Sequence, residues 1–333
     1  MNGFTKRALA PVALLLVILL TLTAAGAEAE VYYYDYLYLS TTAAGTTEDG
    51  LAYAPGDIIG TTGVAAPWFT YFDASEHGLG AHNINAFDFD ATEEAWVTST
   101  MLDSPIYMSF VQNRIRVPGV ASPVLAHDVV KFQPTTTTTT GGSFEMYFDG
   151  SDVGLSTTAE QIDSLTVWTP EDFGSTDVSV PDDCTAGLLF ISTVGLYRVP
   201  AADGSSLVGR GSDILVFCAT NLGLDTAGFW FKGFDGVAAG FQPLGALRNV
   251  SVHGFEAVAP TSVGGWEMEF SFSTTAPFTI GAFAGQPNVV YLYETGTGIE
   301  GTFRDLNYDD PMLNGSADGL MLTIYESICT SDC

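Results

Sequence analysis

Phe144-Glu145-Met146-Tyr147-Phe148-Asp149-Gly150-Ser151-Asp152-Val153-Gly154-Leu155 has a counterpart upstream in Trp68-Phe69-Thr70-Tyr71-Phe72-Asp73-Ala74-Ser75-Glu76-His77-Gly78-Leu79. A third copy reads Phe229-Trp230-Phe231-Lys232-Gly233-Phe234-Asp235-Gly236, and a worn fourth runs from Phe303 to Asp310. The aligned aspartates are Asp73, Asp149, Asp235 and Asp309, spaced by 76, 86 and 74 residues. Self-similarity at a near-constant period marks a repeat architecture.

The flanks recur in step. A short apolar strand precedes each aromatic unit: Asp57-Ile58-Ile59, Asp128 to Phe132, Asp213 to Phe217, and Asn288 to Leu292. Before it lies another strand that closes on a serine, with copies Tyr36 to Ser40, Pro105 to Ser109, Leu188 to Ser192 and Glu269 to Ser273. A last strand ends each unit at Ile84 to Phe89, Ile162 to Trp168, Leu247 to Val252 and Leu320 to Tyr325. Runs of four to eight apolar or alternating residues between Gly, Pro, Asn and Asp clusters are the pattern of antiparallel strands buried on at least one face. An all-β chain of four repeats follows, at about 31–98, 99–180, 181–257 and 258–327.

Radial repetition of four-stranded units removes exposed sheet edges, so a β-propeller-like ring is the expected architecture. The last strand of each repeat should form a hairpin with the first strand of the next. The final strand then pairs with the first strand of the chain, sealing the ring with N- and C-terminal strands. The alternative is two β-sandwich domains with a boundary near residue 180.

Lys6 and Arg7 precede an apolar run from Ala8 to Leu22, and small residues follow to Ala29, which is the pattern of an export signal over residues 1–29. An uncleaved anchor is the alternative reading. No later stretch approaches the roughly 20 apolar residues of a membrane span. The expected location is therefore outside the cell or on its surface.

The formal net charge is −29 and becomes −30 once Lys6, Arg7 and Glu28 leave with residues 1–29. The remaining basic residues, Arg114, Arg116, Lys131, Arg198, Arg210, Lys232, Arg248 and Arg304, are scattered singly, which argues against nucleic acid as a partner. Four cysteines in an exported chain read as two disulfides. Three pairings are open, and Cys184 with Cys218 and Cys329 with Cys333 is preferred; residues 328–333 form a C-terminal tail.

From Asp128 to Trp168 the chain resembles a class of largely uncharacterised bacterial secreted repeat proteins with tandem F-D-G-S-D-V-G-L segments followed by an I-D-x-L strand. The match lies on Phe148 to Leu155 and Ile162 to Leu165 and extends over roughly residues 100–240. The resemblance implies secretion and a β-rich repeat fold. It brings no activity with it, and the other repeats lose the second aspartate, with Glu76, Ala238 and Met312 in its place.

Asp149, Ser151 and Asp152 on a glycine-rich turn are the candidate metal ligands, because closely spaced carboxylates supply the oxygens that Ca2+ takes. The spacing is not that of an EF-hand. The competing account is a turn capped by Asp149, with Gly150 and Gly154 supplying left-handed backbone. The aromatic residues of the repeat offer a stacking surface for sugars or, on alternating strands, a core. No nucleophile elbow, zincin, P-loop or dinucleotide motif is present. His77 and His82 near Asp73 and Glu76, and Asp88, Asp90, Glu93 and Glu94 after one strand, are the remaining candidates for chemistry. The expected function is a non-enzymatic extracellular module that binds a glycan, a protein or further copies of itself. A secreted hydrolase or lyase on a propeller scaffold is the alternative.

Overall fold

The computed structural model describes residues 33–61, 67–89, 104–135, 141–172, 182–242, 247–257, 266–274, 276–287, 289–294, 298–305 and 317–325. The candidates Asp90, Glu93, Glu94, Asp309, Cys329 and Cys333, and the expected signal, lie outside these residues. Tyr34–Tyr325 form one compact unit.

The chain is all-β, and its sixteen longer strands form four antiparallel sheets. The first holds β1 (Tyr33–Thr41), β2 (Ile58–Thr61) and β3 (Phe69–Phe72). The second is β4 (Ile84–Phe89), β5 (Ile106–Phe110), β6 (Val129–Pro134) and β7 (Gly142–Phe148). β8 (Ile162–Trp168), β9 (Gly187–Thr193), β10 (Ile214–Asn221) and β11 (Ala227–Phe234) make the third. The fourth contains β12 (Arg248–Ala257), β13 (Trp266–Ser273), β14 (Val289–Glu294) and β15 (Gly298–Asp305). The last strand, β16 (Ala317–Tyr325), lies beside β1, giving the order β16-β1-β2-β3 in the first sheet. The expected hairpins between repeats are present, since β4 pairs with β5, β8 with β9 and β12 with β13.

Sequence alternation explains how the sheets stack. In β9, Leu188 and Phe190 enter a core shared with the fourth sheet, while Leu189 and Ile191 enter one shared with the second. β10 divides the same way: Ile214, Val216 and Cys218 face one core, and Leu215, Phe217 and Ala219 the other. A third core joins the first and second sheets through Tyr38, Phe72, Phe87, Met108 and Phe132. The second and third sheets are thus buried on both faces. Continuous apolar runs, usual in parallel sheets, arise here because an antiparallel sheet is sandwiched between two others. Phe148, Phe217 and Trp230 meet with centroids 4.8 to 6.1 Å apart, and each buried ring contributes about 2–3 kcal/mol of transfer free energy. A boundary near residue 180 would part Leu165 and Val167 from Leu189 and Ile191, which share one core.

The strands β4, β8, β12 and β16, each at the same edge of its sheet, pack on one another in succession: β4 on β8, β8 on β12, β12 on β16 and β16 on β4. Local irregularities recur as well. Register shifts fall at Ile58/Ile59, Val129/Val130 and Ile214/Leu215, the first residues of the second strand in three repeats. Such bulges increase strand twist. Each connection between the first and second strand of a repeat carries a small antiparallel element: Gly45–Thr46 with Ala52–Tyr53, an Ile115–Val124 bridge, Tyr197–Pro200 with Ser206–Gly209, and Phe278–Ile280 with Phe283–Gly285.

One disulfide is present, Cys184 to Cys218, with Cα atoms 4.8 Å apart. It ties the segment before β9 to β10 within one repeat, as the sequence led us to expect. Among the described residues no helix is long and apolar enough to cross a membrane.

Candidate functional site

Asp128, immediately before β6, is 1% exposed. Its Oδ2 accepts from the Leu125 amide at 2.7 Å, closing the turn into β6, and its Oδ1 accepts from the Gly150 amide at 3.0 Å, holding the turn that leaves β7. Asp57 does the same with Ala54 and Ala74, and Asp213 with Arg210 and Gly236. In each of the first three repeats one aspartate therefore clamps both ends of the hairpin between the second and third strands. The sequence carried this signal in the aspartate that opens three of the four second strands; our reading gave it no role. Asn288, the fourth copy, lies outside the described residues.

The aligned aspartates lie next to this clamp. Asp149 has extended backbone, and its Oδ1 accepts from the Ser151 amide at 3.0 Å and from the Ser151 hydroxyl at 2.5 Å. Gly154 ends the turn with φ +100°, where an L side chain is strained. Asp73 caps Ser75 in the same manner. The residue after each aligned aspartate packs against the turn before the clamp, and space there is short. A Cβ on Gly150 would lie 2.1 Å from the His127 carbonyl oxygen, and one on Gly236 would lie 2.2 Å from that of Ser212. The first repeat carries Ala74 instead, and there the opposing residue is Gly56.

Asp152 is not turned toward Asp149. Its Oδ2 accepts from the Thr226 amide at 3.0 Å, the Thr226 hydroxyl accepts from the Asp149 amide at 2.9 Å, and the Trp230 indole donates to the Val153 carbonyl at 2.9 Å. Thr226 and Trp230 belong to the third sheet's outer hairpin. The second-copy turn is thus the piece that docks the second sheet onto the third. Among the described residues, no three His, Cys, Asp or Glu side chains group as a metal site.

The electrostatics differ from copy to copy. Around the second clamp, burial raises Asp128 to about 7, against the pull of its two backbone donors and helped by Asp149 and Asp152. His127 is held below its ordinary value by burial, with Asp149 and Glu160 pulling the other way. Burial alone would raise Glu160, but amides of Ser156, Arg198 and Thr157 outweigh it and keep this carboxyl low. In the third copy Lys232 lies 3.1 Å from Asp213 and 3.0 Å from Asp235. Despite its own burial, this lysine is raised by the two carboxylates.

The serines that close the first strands acquire a role. Ser40 donates to the Ile84 carbonyl at 3.0 Å, Ser109 to Ile162 at 3.5 Å and Ser192 to Leu247 at 2.8 Å. Each bond crosses from one sheet to the leading edge strand of the next. Asn85 adds a bond to the Ile162 carbonyl, and Asp88 accepts from the Val167 amide at 2.6 Å. Asp163, on β8, is fully buried. The remaining candidates are accounted for by packing. His77 stacks on Phe72 and touches Phe132, His82 faces Phe110, and none of the eleven Phe, Tyr and Trp residues in the first three copies of the repeat unit is exposed. They are core rather than a stacking surface.

No protein-family model, curated protein or solved structure matches the chain.

Proposed function

We propose that the chain is a secreted, non-enzymatic extracellular or cell-surface interaction module built as a four-bladed ring. Residues 1–29 serve as its export signal, and its partners are extracellular glycan, protein or further copies of itself. The ring is supported by the pairing order β16-β1 and by the succession in which β4, β8, β12 and β16 pack. The likeness to secreted repeat proteins over residues 100–240 supports export.

One observation carries the non-enzymatic reading. Acidic side chains at the turns and on the facing strands are engaged by backbone amides, either within turns or across sheets, as in Asp128, Asp152, Glu160 and Asp88. A catalytic carboxylate needs a free oxygen facing substrate and a partner positioned beside it. Here the same groups hold neighbouring sheets together, and Asp149 and Asp152 act as turn and docking acceptors.

The competing hydrolase reading draws on Asn85, Asp88 and Asp163, buried polar residues on the neighbouring strands β4 and β8. The test is a glycan array with the purified mature protein, with and without calcium, run beside a panel of glycoside substrates. Binding without turnover, indifferent to calcium, is expected. Turnover lost on Asp88→Asn or Asp163→Asn would overturn the reading.

A further inference from the structure

Two of the basic residues that are scattered in sequence, Arg198 and Arg210, come together on one exposed hairpin. Of the four arginines whose side chains are described, Arg114 and Arg116 lie on the connection from β5 to β6, and Arg198 and Arg210 on the connection from β9 to β10. These connections belong to adjacent sheets and leave them from a common point. The Gln161 side-chain amide donates to the Val111 carbonyl at 2.9 Å, and the Val194 amide donates to the Gln161 carbonyl at 3.0 Å. Arg114 follows Val111 by three residues and Arg198 follows Val194 by four, which bounds their Cα atoms to about 11 and 15 Å from these two anchor residues. All four arginines are exposed, and among the described residues the ion pairs involve only Lys131 and Lys232.

Apolar residues accompany them. Leu196 is 62% exposed, Val208 49% and Val194 37%, the first and third on the lead-in to the Tyr197–Pro200 strand and Val208 opposite Arg198 in the hairpin register. The opposite face of that hairpin, with Tyr197 and Val199, is buried. Exposed apolar groups grouped with arginine are the composition of protein interfaces. A hydrated polyanion would engage the guanidiniums and leave Leu196 and Val208 in water.

We infer that this arginine and apolar face is a self-association surface that docks on the acidic exterior of a second copy of the chain. The inference rests on the interaction-module reading above and names its partner. Charge complementarity carries the choice: with a net charge of −29, each copy offers exposed carboxylates such as Glu48, Glu76, Glu145 and Asp225 as bidentate acceptors for arginine. A two-fold contact of this hairpin would offer its arginines one carboxylate, Asp203, whereas the rest of the surface offers many. Its contact is heterologous, arginine face to acidic face, and such contacts propagate into chains rather than stop at dimers. Like net charge opposes the approach at long range, but at physiological ionic strength screening leaves local contacts to decide beyond about 8 Å.

Sedimentation of the mature chain over a range of micromolar concentrations at physiological salt tests this. The weight-average mass is expected to keep rising with concentration without a plateau at the dimer. The double variant Arg198→Glu/Arg210→Glu, and separately Leu196→Ser, should raise the dissociation constant at least about tenfold, while Leu224→Ser, exposed in the β10–β11 turn at the end of that hairpin remote from Asp213, should leave it unchanged. Circular dichroism confirms that each variant is folded. A chain that stays monomeric, or association indifferent to these substitutions, overturns the inference. A monomer that binds a sulfated polysaccharide through the same arginines overturns it too while leaving the interaction-module reading standing; substrate turnover would remove that reading itself.

Discussion

Asp128 shows how a residue with the look of a catalyst serves the fold. Its carboxyl is raised by burial to about 7, whereas in the unfolded chain it ionises near 3.8. A raised folded pKa means that the group's stabilising contribution is complete below the unfolded value and is lost as pH climbs to about 7. Glu160, held low, runs the other way, contributing above the ordinary carboxyl range and losing that contribution on acidification. We therefore expect the Asp128 side-chain carboxyl carbon to titrate in NMR with a midpoint near 7; a midpoint near 4 would contradict the buried clamp. In denaturant titrations, Asp128→Asn should flatten the fall in stability between about pH 4 and 7 and lower stability at acid pH by about 1–3 kcal/mol, since an amide oxygen replaces only one of two acceptors. Much of this was legible in the sequence as a repeated position, but not as a mechanism. An aspartate before a strand and an aspartate after one look alike in a linear string, and only the hairpin reveals that the first reaches the backbone next to the second.

At the scale of strands, apolar period and turn residues sufficed to place the strands of the first three repeats, because a strand buried in a stack of sheets must be apolar on alternating or both faces; in the fourth the third strand is Gly298–Asp305, ahead of the worn copy expected from Phe303 to Asp310. What the pattern could not say is which face meets which neighbour. The division of β9 and β10 between two cores depends on sheet stacking, a long-range property that no local window contains. The serine that closes each first strand is a similar case. Ser109→Ala and Ser192→Ala should each cost about 0.5–1.5 kcal/mol, with Ser192→Ala the larger because its bond at 2.8 Å is shorter than the 3.5 Å of Ser109. Thermal or denaturant unfolding would check both, and a null effect at Ser192 would remove the latch from the account. The disulfide between Cys184 and Cys218, separated by 34 residues, acts on the same repeat. Loop-closure entropy gives it about 3–4 kcal/mol, so Cys184→Ser/Cys218→Ser should lower Tm by several degrees in calorimetry, and an unchanged Tm would count against it.

For the molecule as a whole, repetition determines more than any single site does. Sheets two and three are each covered on two sides, and the inter-sheet bonds of Ser109, Ser192, Asp152 and Trp230 are spaced to serve that stacking. The basic residues illustrate the limit of sequence reading: Arg198 and Arg210 are 12 positions apart, and only the hairpin of Tyr197–Pro200 with Ser206–Gly209 sets them beside one another with Val208. The resemblance to secreted repeat proteins pointed to the second copy, and the structure gives that copy a docking role between the second and third sheets.

The central claim is that the four sheets close into a ring through the pairing of β16 with β1. Hydrogen–deuterium exchange of the intact mature chain, followed on peptides spanning residues 33–41 and 317–325, tests it most directly. A closed ring predicts that both peptides are protected to the same degree as β5 and β9 and lose protection together on global unfolding. Rapid exchange in residues 317–325 while β5 and β9 stay protected, the behaviour of a strand free of its partner, would contradict it.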